Sequence, residues 1–134
     1  MKKSSVVIAF FVLITGGLLS CGSKKKETGI SVNPEKRGKY IYESNCVSCH
    51  QPEGIGAKGM YPPLQGSDYL MANKTNGINA VKYGLKGEIT VLGETYDSFM
   101  PPVALSDDDI MHVLNYVRNS WGNKADSIRI EEIK

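Results

Sequence analysis

The sequence predicts a small, all-α domain with one minor β-hairpin. Its 134 residues leave room for a single domain once any targeting segment is set aside. Strong helix-start signals occur at Asn33 and at Ser106, and apolar residues follow the second at helical spacing. Between these helices, short runs of β-branched and aromatic residues flank Leu92-Gly93-Glu94, which is typical of a hairpin.

The composition argues against nucleic-acid binding and shows few large side chains to fill a hydrophobic core. Sixteen Lys and Arg against fourteen Asp and Glu give a formal net charge of +2, so no nucleic-acid partner is expected. Aromatic residues make up only 8%, and so small a domain with few large side chains needs a further source of stability. Three cysteines is an odd number, so at least one has a role other than a disulfide.

The first twenty residues have the pattern of an export signal. Lys2 and Lys3 precede an apolar run over 6–14 that is short for a membrane span, although an uncleaved anchor is the alternative. Leu18-Leu19-Ser20-Cys21 resembles the lipobox of bacterial lipoproteins, in which the cysteine is acylated after cleavage. We therefore expect a lipoprotein signal peptide over 1–20 and lipidation of Cys21. The protein would be anchored to a bacterial membrane, with its domain on the periplasmic or extracytoplasmic side.

Residues 21–32 are interpreted as a flexible tether, because they lack the apolar surface that would order them. Three lysines within it, Lys24 to Lys26, suit anionic lipid headgroups, but solvated linker charges explain them equally well. The domain is predicted over 33–124, followed by a charged C-terminal tail over 125–134.

The first helix is predicted to begin at Asn33-Pro34-Glu35 and to run to about Cys46. Asn is a good N-cap, Pro suits the first helical position, and an acid suits the first turn.

The pentapeptide Cys46-Val47-Ser48-Cys49-His50 carries the strongest chemical signal. Cys-x-x-Cys-His is the spacing that attaches haem c: the two thiols add to the haem vinyl groups and the histidine ligates iron. A thioredoxin-like dithiol would need a βαβ surround, which is not indicated here. A zinc site would need a fourth ligand, for which His112 is the obvious candidate. Export agrees with haem attachment, so one covalently bound haem c, with its iron on His50, is expected.

The middle of the chain is predicted to contain a short helix near Met71, a longer helix over 73–85, and the hairpin. The hairpin strands are Ile89-Thr90-Val91 and Thr95-Tyr96.

Met100 is the expected second iron ligand. It lies in Ser98-Phe99-Met100-Pro101-Pro102, which proline keeps out of helix, so that the thioether can be aimed at a haem. A Met/His pair is one of the ways in which cytochromes c hold iron. Four other residues fit this position less well by spacing or by helical context: Met60, Met71, Met111 and, as a bis-His rival, His112.

The last helix is predicted to begin at Ser106 and to be closed by Gly122. Ser106 is the N-cap, Asp109 stands at the capping-box position, and three aspartates lie at the positive helix end. These aspartates are interpreted as helix-end electrostatics and not as a metal site.

With these residues in place, the segment from Asn33 to Asn123 resembles a class I c-type cytochrome. The resemblance implies three to five helices around one covalently bound haem, with the small hairpin before the distal Met100. It also implies a close crossing of the first and last helices, for which Gly38 and Tyr42 match. These two residues would face Val113, Leu114 and Tyr116.

Within Tyr61-Pro62-Pro63-Leu64-Gln65-Gly66, the family pattern implies a proline carbonyl that accepts the hydrogen bond of the proximal histidine. Pro62 is the better candidate and Pro63 stays open. Tyr96 and Trp121 are candidates for the haem surround, with packing as the alternative. The hairpin resembles that of bacterial haem domains serving periplasmic oxidoreductases.

The expected function is one-electron transfer and not catalysis. Donors would be a quinol-oxidising complex or dehydrogenase, and acceptors a terminal oxidase or reductase. A haem enzyme or gas sensor with a displaceable ligand, or a haem subunit of a larger complex, are the alternatives. Four lysines could form a basic ring around the haem edge or be solvated charges: Lys58, Lys74, Lys82 and Lys86. The scarcity of aromatic residues predicts that the domain without haem does not fold stably.

Overall fold

The computed structural model of the protein describes residues 33–133. The expected signal peptide, the tether and Cys21 lie outside these residues. Within them, the α-helices are α1 (Pro34–Asn45), α2 (Val47–His50), α3 (Asp68–Ala72), α4 (Lys74–Tyr83) and α5 (Asp107–Asn119). The strands β1 (Ile89–Val91) and β2 (Glu94–Tyr96) form an antiparallel hairpin, and a 3₁₀ turn covers Ile130–Glu132. The helical prediction with its small hairpin is confirmed.

Helix starts are fixed by side-chain caps. The side chains of Asn33, Ser67, Asn73 and Ser106 each accept a hydrogen bond from a backbone N–H in the first turn of the helix that follows. Each cap satisfies a donor that the helix itself leaves unpaired. No helix of the described part is long and apolar enough to cross a membrane.

Helices α1 and α5 cross closely and form the centre of the core. Gly38 faces the backbone of His112 and the Cβ of Tyr116, so that any side chain at this position would overlap α5. Beside the crossing, the Tyr42 and Tyr116 rings lie 5.7 Å apart between centroids. At the start of α5, Arg37 binds Asp109 at 2.7 Å and Asp108 at 2.8 Å. The predicted role of Gly38 in the crossing is confirmed.

The end of α5 differs from the prediction. The helix ends at Asn119 with Ser120 as its C-cap, so Gly122 does not close it. Trp121 itself takes a positive φ of 53°, and its ring lies 5.0 Å from that of Tyr42. The chain thus leaves the helix before Trp121, whose indole packs back onto α1.

The segment predicted as a charged tail is part of the folded core as far as Ile133. Ile128 and Ile133 are each only 2% exposed and join the main hydrophobic cluster. The Asn115 side chain donates to the Ile128 carbonyl at 2.9 Å and accepts from its N–H at 2.7 Å. The charges face outward while the isoleucines face inward, which is why composition alone suggested a tail.

Candidate functional site

The two cysteines of the Cys-x-x-Cys-His motif lie at the junction of α1 and α2. Cys46 is the C-cap of α1, whereas Cys49 and His50 belong to the single-turn helix α2. Both thiols are half-buried and free of any disulfide. The backbone N–H of His50 donates to the Cys46 carbonyl at 2.9 Å, which holds the motif in one helical turn.

The His50 imidazole is buried and held by one hydrogen bond. Its Nδ1 lies 3.0 Å from the Pro62 carbonyl oxygen. Because a carbonyl can only accept, Nδ1 must carry the proton, and Nε2 keeps a lone pair for a metal. Burial lowers the pKa of His50, and the Pro62 bond only partly opposes this. The imidazole is thus neutral, the state required of a ligand.

Gly56 brings the Pro62 carbonyl to His50. Its φ is +63°, and a Cβ at this position would lie 2.7 Å from the Pro62 oxygen. The Gly56 N–H also donates to the His50 carbonyl at 3.0 Å. A glycine is needed here both for its conformation and for the close approach.

Beside His50 lie two adjoining cavities, the larger lined by eighteen of the described residues and the smaller by twelve, which together we call the haem cleft. Both are bordered by the same five residues: His50, Pro62, Leu85, Ile89 and Met100. Cys46 borders the larger cavity and Cys49 the smaller. The remaining lining of the larger cavity is mainly apolar and comes from residues 63–67, α3, α4, the hairpin and α5. The apolar lining suits an organic cofactor.

The segment that carries Met100 is attached to the end of α4 by backbone hydrogen bonds. Leu85 and Met100 exchange two bonds, at 2.8 and 2.9 Å, and the Val103 N–H donates to the Val81 carbonyl at 2.9 Å. Gly84, at φ +79°, leaves room for this segment, because a Cβ there would lie 2.7 Å from the Met100 carbonyl oxygen. Met100 thus lies on the wall of the cleft in a fixed backbone position.

Comparison with known proteins gives the family. Residues 35–121 match the family model described as cytochrome c. The chain belongs to the cytochrome c family. Its fold is that of class I members, and one covalently bound haem c with its iron is the family's cofactor. The described residues fit a covalently bound haem: two half-buried thiols, a neutral imidazole and an apolar cleft lie together.

Several relatives are similar over the same region of this cytochrome. Cytochrome c-552 of Thermus thermophilus is 38% identical over 91 residues, covering 64% of this chain and 69% of that protein. The cytochrome c subunit of a quinone alcohol dehydrogenase of Gluconacetobacter polyoxogenes is 33% identical over 66% of this chain. The cbb3-type oxidase subunit FixP of Bradyrhizobium diazoefficiens is 29% identical over 79% of it. This chain spans only 19% and 37% of those two subunits.

The other predicted residues of this cytochrome divide between the cleft and the core. Tyr96 is buried and borders the smaller cavity, together with Met60. Trp121 does not border the cleft; its ring packs on Tyr42, Tyr116 and the open face of Gly54. Packing is therefore its role.

Two methionines and His112 lie away from the cleft. Met71 and Met111 are partly buried against the core, as core-filling residues would be. His112 borders a separate groove between α1 and α5, with Nε2 3.6 Å from Asp108 Oδ2. The structure therefore gives no support to bis-His ligation by His112.

The two alternative interpretations of the cysteines fit poorly. Within residues 33–133, no group of three or more His, Cys, Asp or Glu is arranged to hold a metal ion, which disfavours zinc. Burial, and then the neighbouring Cys49, raise the pKa of Cys46 to about 11. A redox-active thiol needs the opposite shift.

The lysines do not form an open basic ring. Three of them are paired with carboxylates: Lys58 with Glu94 at 2.9 Å, Lys74 with Glu132 at 3.0 Å, and Lys82 with Asp107 at 2.9 Å. Sequence reasoning missed these pairs, because each joins residues that are far apart in the chain.

Sequence reasoning also missed Ser67, which caps α3 and borders the cleft while only 1% exposed. The Ser-Asp start of α3 was the available signal.

Proposed function

We propose that this cytochrome is a one-electron carrier held at a bacterial membrane by a lipid on Cys21, with His50 and Met100 as axial ligands. Haem iron exchanges a single electron between its ferrous and ferric states. The observation that carries the proposal is that His50 and Met100 border the same two cavities. With both axial positions occupied by the protein, no substrate would reach the iron.

Each residue of the site has a distinct task in this proposal. Cys46 and Cys49 hold the haem through thioether bonds, so that it stays in place through repeated electron transfer. The Pro62 carbonyl fixes the orientation and basicity of His50. The apolar lining excludes water and disfavours the more highly charged ferric state, which raises the reduction potential. Tyr96 closes the cleft on the hairpin side.

Relatives support the proposed partners. The matching region recurs in subunits named for a quinone alcohol dehydrogenase and for a cbb3-type oxidase. We therefore propose a quinol-oxidising complex or a dehydrogenase as donor, and a terminal oxidase or reductase as acceptor.

The same comparison favours a second candidate function, that of a haem subunit of a larger complex. Purification after gentle detergent extraction separates the two: the carrier runs as a monohaem protein, and the subunit elutes with a stoichiometric oxidoreductase.

Axial ligation is tested by spectroscopy of the purified haem protein. The ferric wild type should show the methionine-to-iron charge-transfer band, and the ferrous form should bind carbon monoxide slowly or not at all. Met100→Ala should lose the band and bind carbon monoxide rapidly, whereas Met60→Ala should behave as the wild type. Rapid binding by the wild type would instead identify a haem enzyme or gas sensor.

The anchor is tested by labelling cells with palmitate. Wild-type protein should incorporate the label and sediment with membranes. Cys21→Ala should do neither, while Ser23→Ala should behave as the wild type. Label in Cys21→Ala protein would contradict the assignment of that residue.

A further inference from the structure

Arg118 is a buried cation that the proposed function does not use. Arg118 lies near the end of α5 and is only 5% exposed. The guanidinium donates through Nη1 to the Leu70 carbonyl and through Nε to the Asp126 carbonyl at 3.2 Å. Among residues 33–133, no carboxylate oxygen lies within ion-pair distance of it. A buried charge without a close counter-charge is costly, and proteins rarely keep one without a reason.

The position of Arg118 relates it to the haem cleft. Leu70, whose carbonyl it binds, borders the larger cavity. So do Val117, the preceding residue, and Leu114, one helical turn earlier. Arg118 therefore lies directly behind the apolar wall formed by these three side chains. Because Arg118 and this wall are both buried, water screens the effect of the guanidinium charge on the cleft only weakly.

Nearby acids do not cancel this charge. Burial lowers the pKa of Arg118, and the more distant Asp126 and Glu132 oppose that shift. Asp126 is exposed, so water screens its carboxylate. Glu132 already binds Lys74 at 3.0 Å and the Arg129 N–H at 2.7 Å. An arginine keeps its proton throughout the physiological pH range.

We propose that Arg118 is an electrostatic determinant of the reduction potential, which it raises by disfavouring the extra positive charge of the ferric state. This inference rests on the proposed one-electron function. At an effective dielectric constant of ~20, a unit charge at a separation of about 12 Å changes such an equilibrium roughly tenfold. For a one-electron couple, a tenfold change corresponds to about 59 mV.

The test compares midpoint potentials of the haem-loaded wild type and three variants near pH 6. Arg118→Gln removes the charge and keeps one donor, and it should lower the reduction equilibrium constant roughly tenfold. Arg118→Lys keeps a charge and a donor, so its potential should stay close to that of the wild type. Arg129→Gln is the matched control, because the side chain of Arg129 is 77% exposed. Its potential should not change.

A purely structural role predicts a different pattern. Both Arg118 variants lose hydrogen bonds and should unfold at lower denaturant concentrations, so a structural effect would move both potentials alike. An unchanged potential in Arg118→Gln, or an equal fall in both variants, overturns the proposal. Only variants that keep the methionine band are compared. If the wild type lacks that band, the proposed ligation fails, which is distinguishable from failure of the Arg118 proposal.

A second measurement covers the case in which Arg118→Gln does not retain haem. Burial lowers the pKa of a lysine, so the Lys variant should lose its charge as the pH is raised from about 6 to about 9. Its potential should then fall relative to that of the wild type, in which arginine stays charged. Parallel pH profiles of the two proteins would overturn the proposal.

Discussion

On one side of the haem cleft His50 lies in a helix beside the two cysteines of the Cys-x-x-Cys-His motif, whereas on the other side Met100 lies in an extended segment attached to α4. We call these the proximal wall (residues 46–66) and the distal wall (residues 81–103). In the proximal wall the imidazole itself is held by local contacts, because His50, Gly56 and Pro62 are close in sequence. Only the end of this wall, residues 64–66, is bound by hydrogen bonds to Trp121 and Asn123. The distal wall depends on α4 through the Leu85 and Val81 hydrogen bonds.

The supports of α4 extend this contrast to the C-terminus. Lys74 Nζ donates to the Ser127 carbonyl at 2.7 Å, and Lys82 Nζ to the Ile133 carbonyl at 2.9 Å. The distal wall is therefore held by residues at the other end of the domain. Changes in the C-terminal segment (residues 124–133) should affect the methionine side before the histidine side.

The largest effect is expected from the cysteines of the proximal wall. Cys46→Ala with Cys49→Ala removes both thiols, and haem should no longer stay with the polypeptide on a denaturing gel. Each single variant keeps one thioether, and Ser48→Ala should retain both. Haem that resists denaturation in the double variant would contradict the assignment of these cysteines.

The next largest effect is expected from the C-terminal segment. Ile128→Ala should reduce the free energy of unfolding by about 3 kcal/mol, because a fully buried isoleucine leaves a cavity. Ile130→Ala is the matched control at a half-buried position and should cost less. Chemical denaturation followed at the methionine band should show that band lost before the Soret band changes. Simultaneous loss of both would argue against the link between this segment and the distal wall.

Gly84 tests the distal wall itself. Gly84→Ala should cost about 2 kcal/mol and weaken the methionine band, because the new Cβ meets the Met100 carbonyl in a backbone conformation suited to glycine. Gly87→Ala also has a positive φ but meets nothing within 4 Å, so it measures backbone strain alone. Equal losses in both variants would show that contact with the Met100 segment contributes nothing.

The smallest effect is expected from an ion pair of the C-terminal segment. The Arg129 N–H, and then Lys74, hold the pKa of Glu132 below its usual value of 4.5. A carboxyl group whose pKa is lowered by folding stabilises the folded state at pH values above its pKa in the unfolded chain. This stabilisation is lost as the pH falls through the pKa of the folded state. Glu132→Gln should therefore be slightly less stable than the wild type near pH 7, and the difference should shrink as the pH falls through the folded pKa of Glu132. Glu131→Gln is the exposed control. A difference that persists in acid would contradict the assignment.

The proximal wall could be predicted from the sequence far more fully than the distal wall. A pentapeptide specifies His50, because its signal is short and local, and the family resemblance limits the partner of His50 to Pro62 or Pro63; the structure selects Pro62. The helix starts at Asn33 and Ser106 follow from capping, which is also local. Met100 could be singled out by its prolines, but its attachment through Gly84 and Leu85 could not.

What the sequence did not reveal depends on distant partners. Ile128 and Ile133 stand among charges, so only their burial against α5 distinguishes them from a tail. Helix α5 ends before Trp121, whose ring packs on Tyr42, a residue of α1 that is distant in sequence. Arg118 reads as an ordinary basic residue near a helix C-terminus until its burial is known.

Ligation of the iron by both His50 and Met100 is tested most directly by proton NMR of the reduced protein. A methionine methyl group bound to haem iron lies over the porphyrin ring, whose ring current shifts its signal strongly upfield. We expect one such three-proton signal in the wild type and in Met60→Ala, and none in Met100→Ala. Absence of the signal from the wild type, or its persistence in Met100→Ala, would contradict the account.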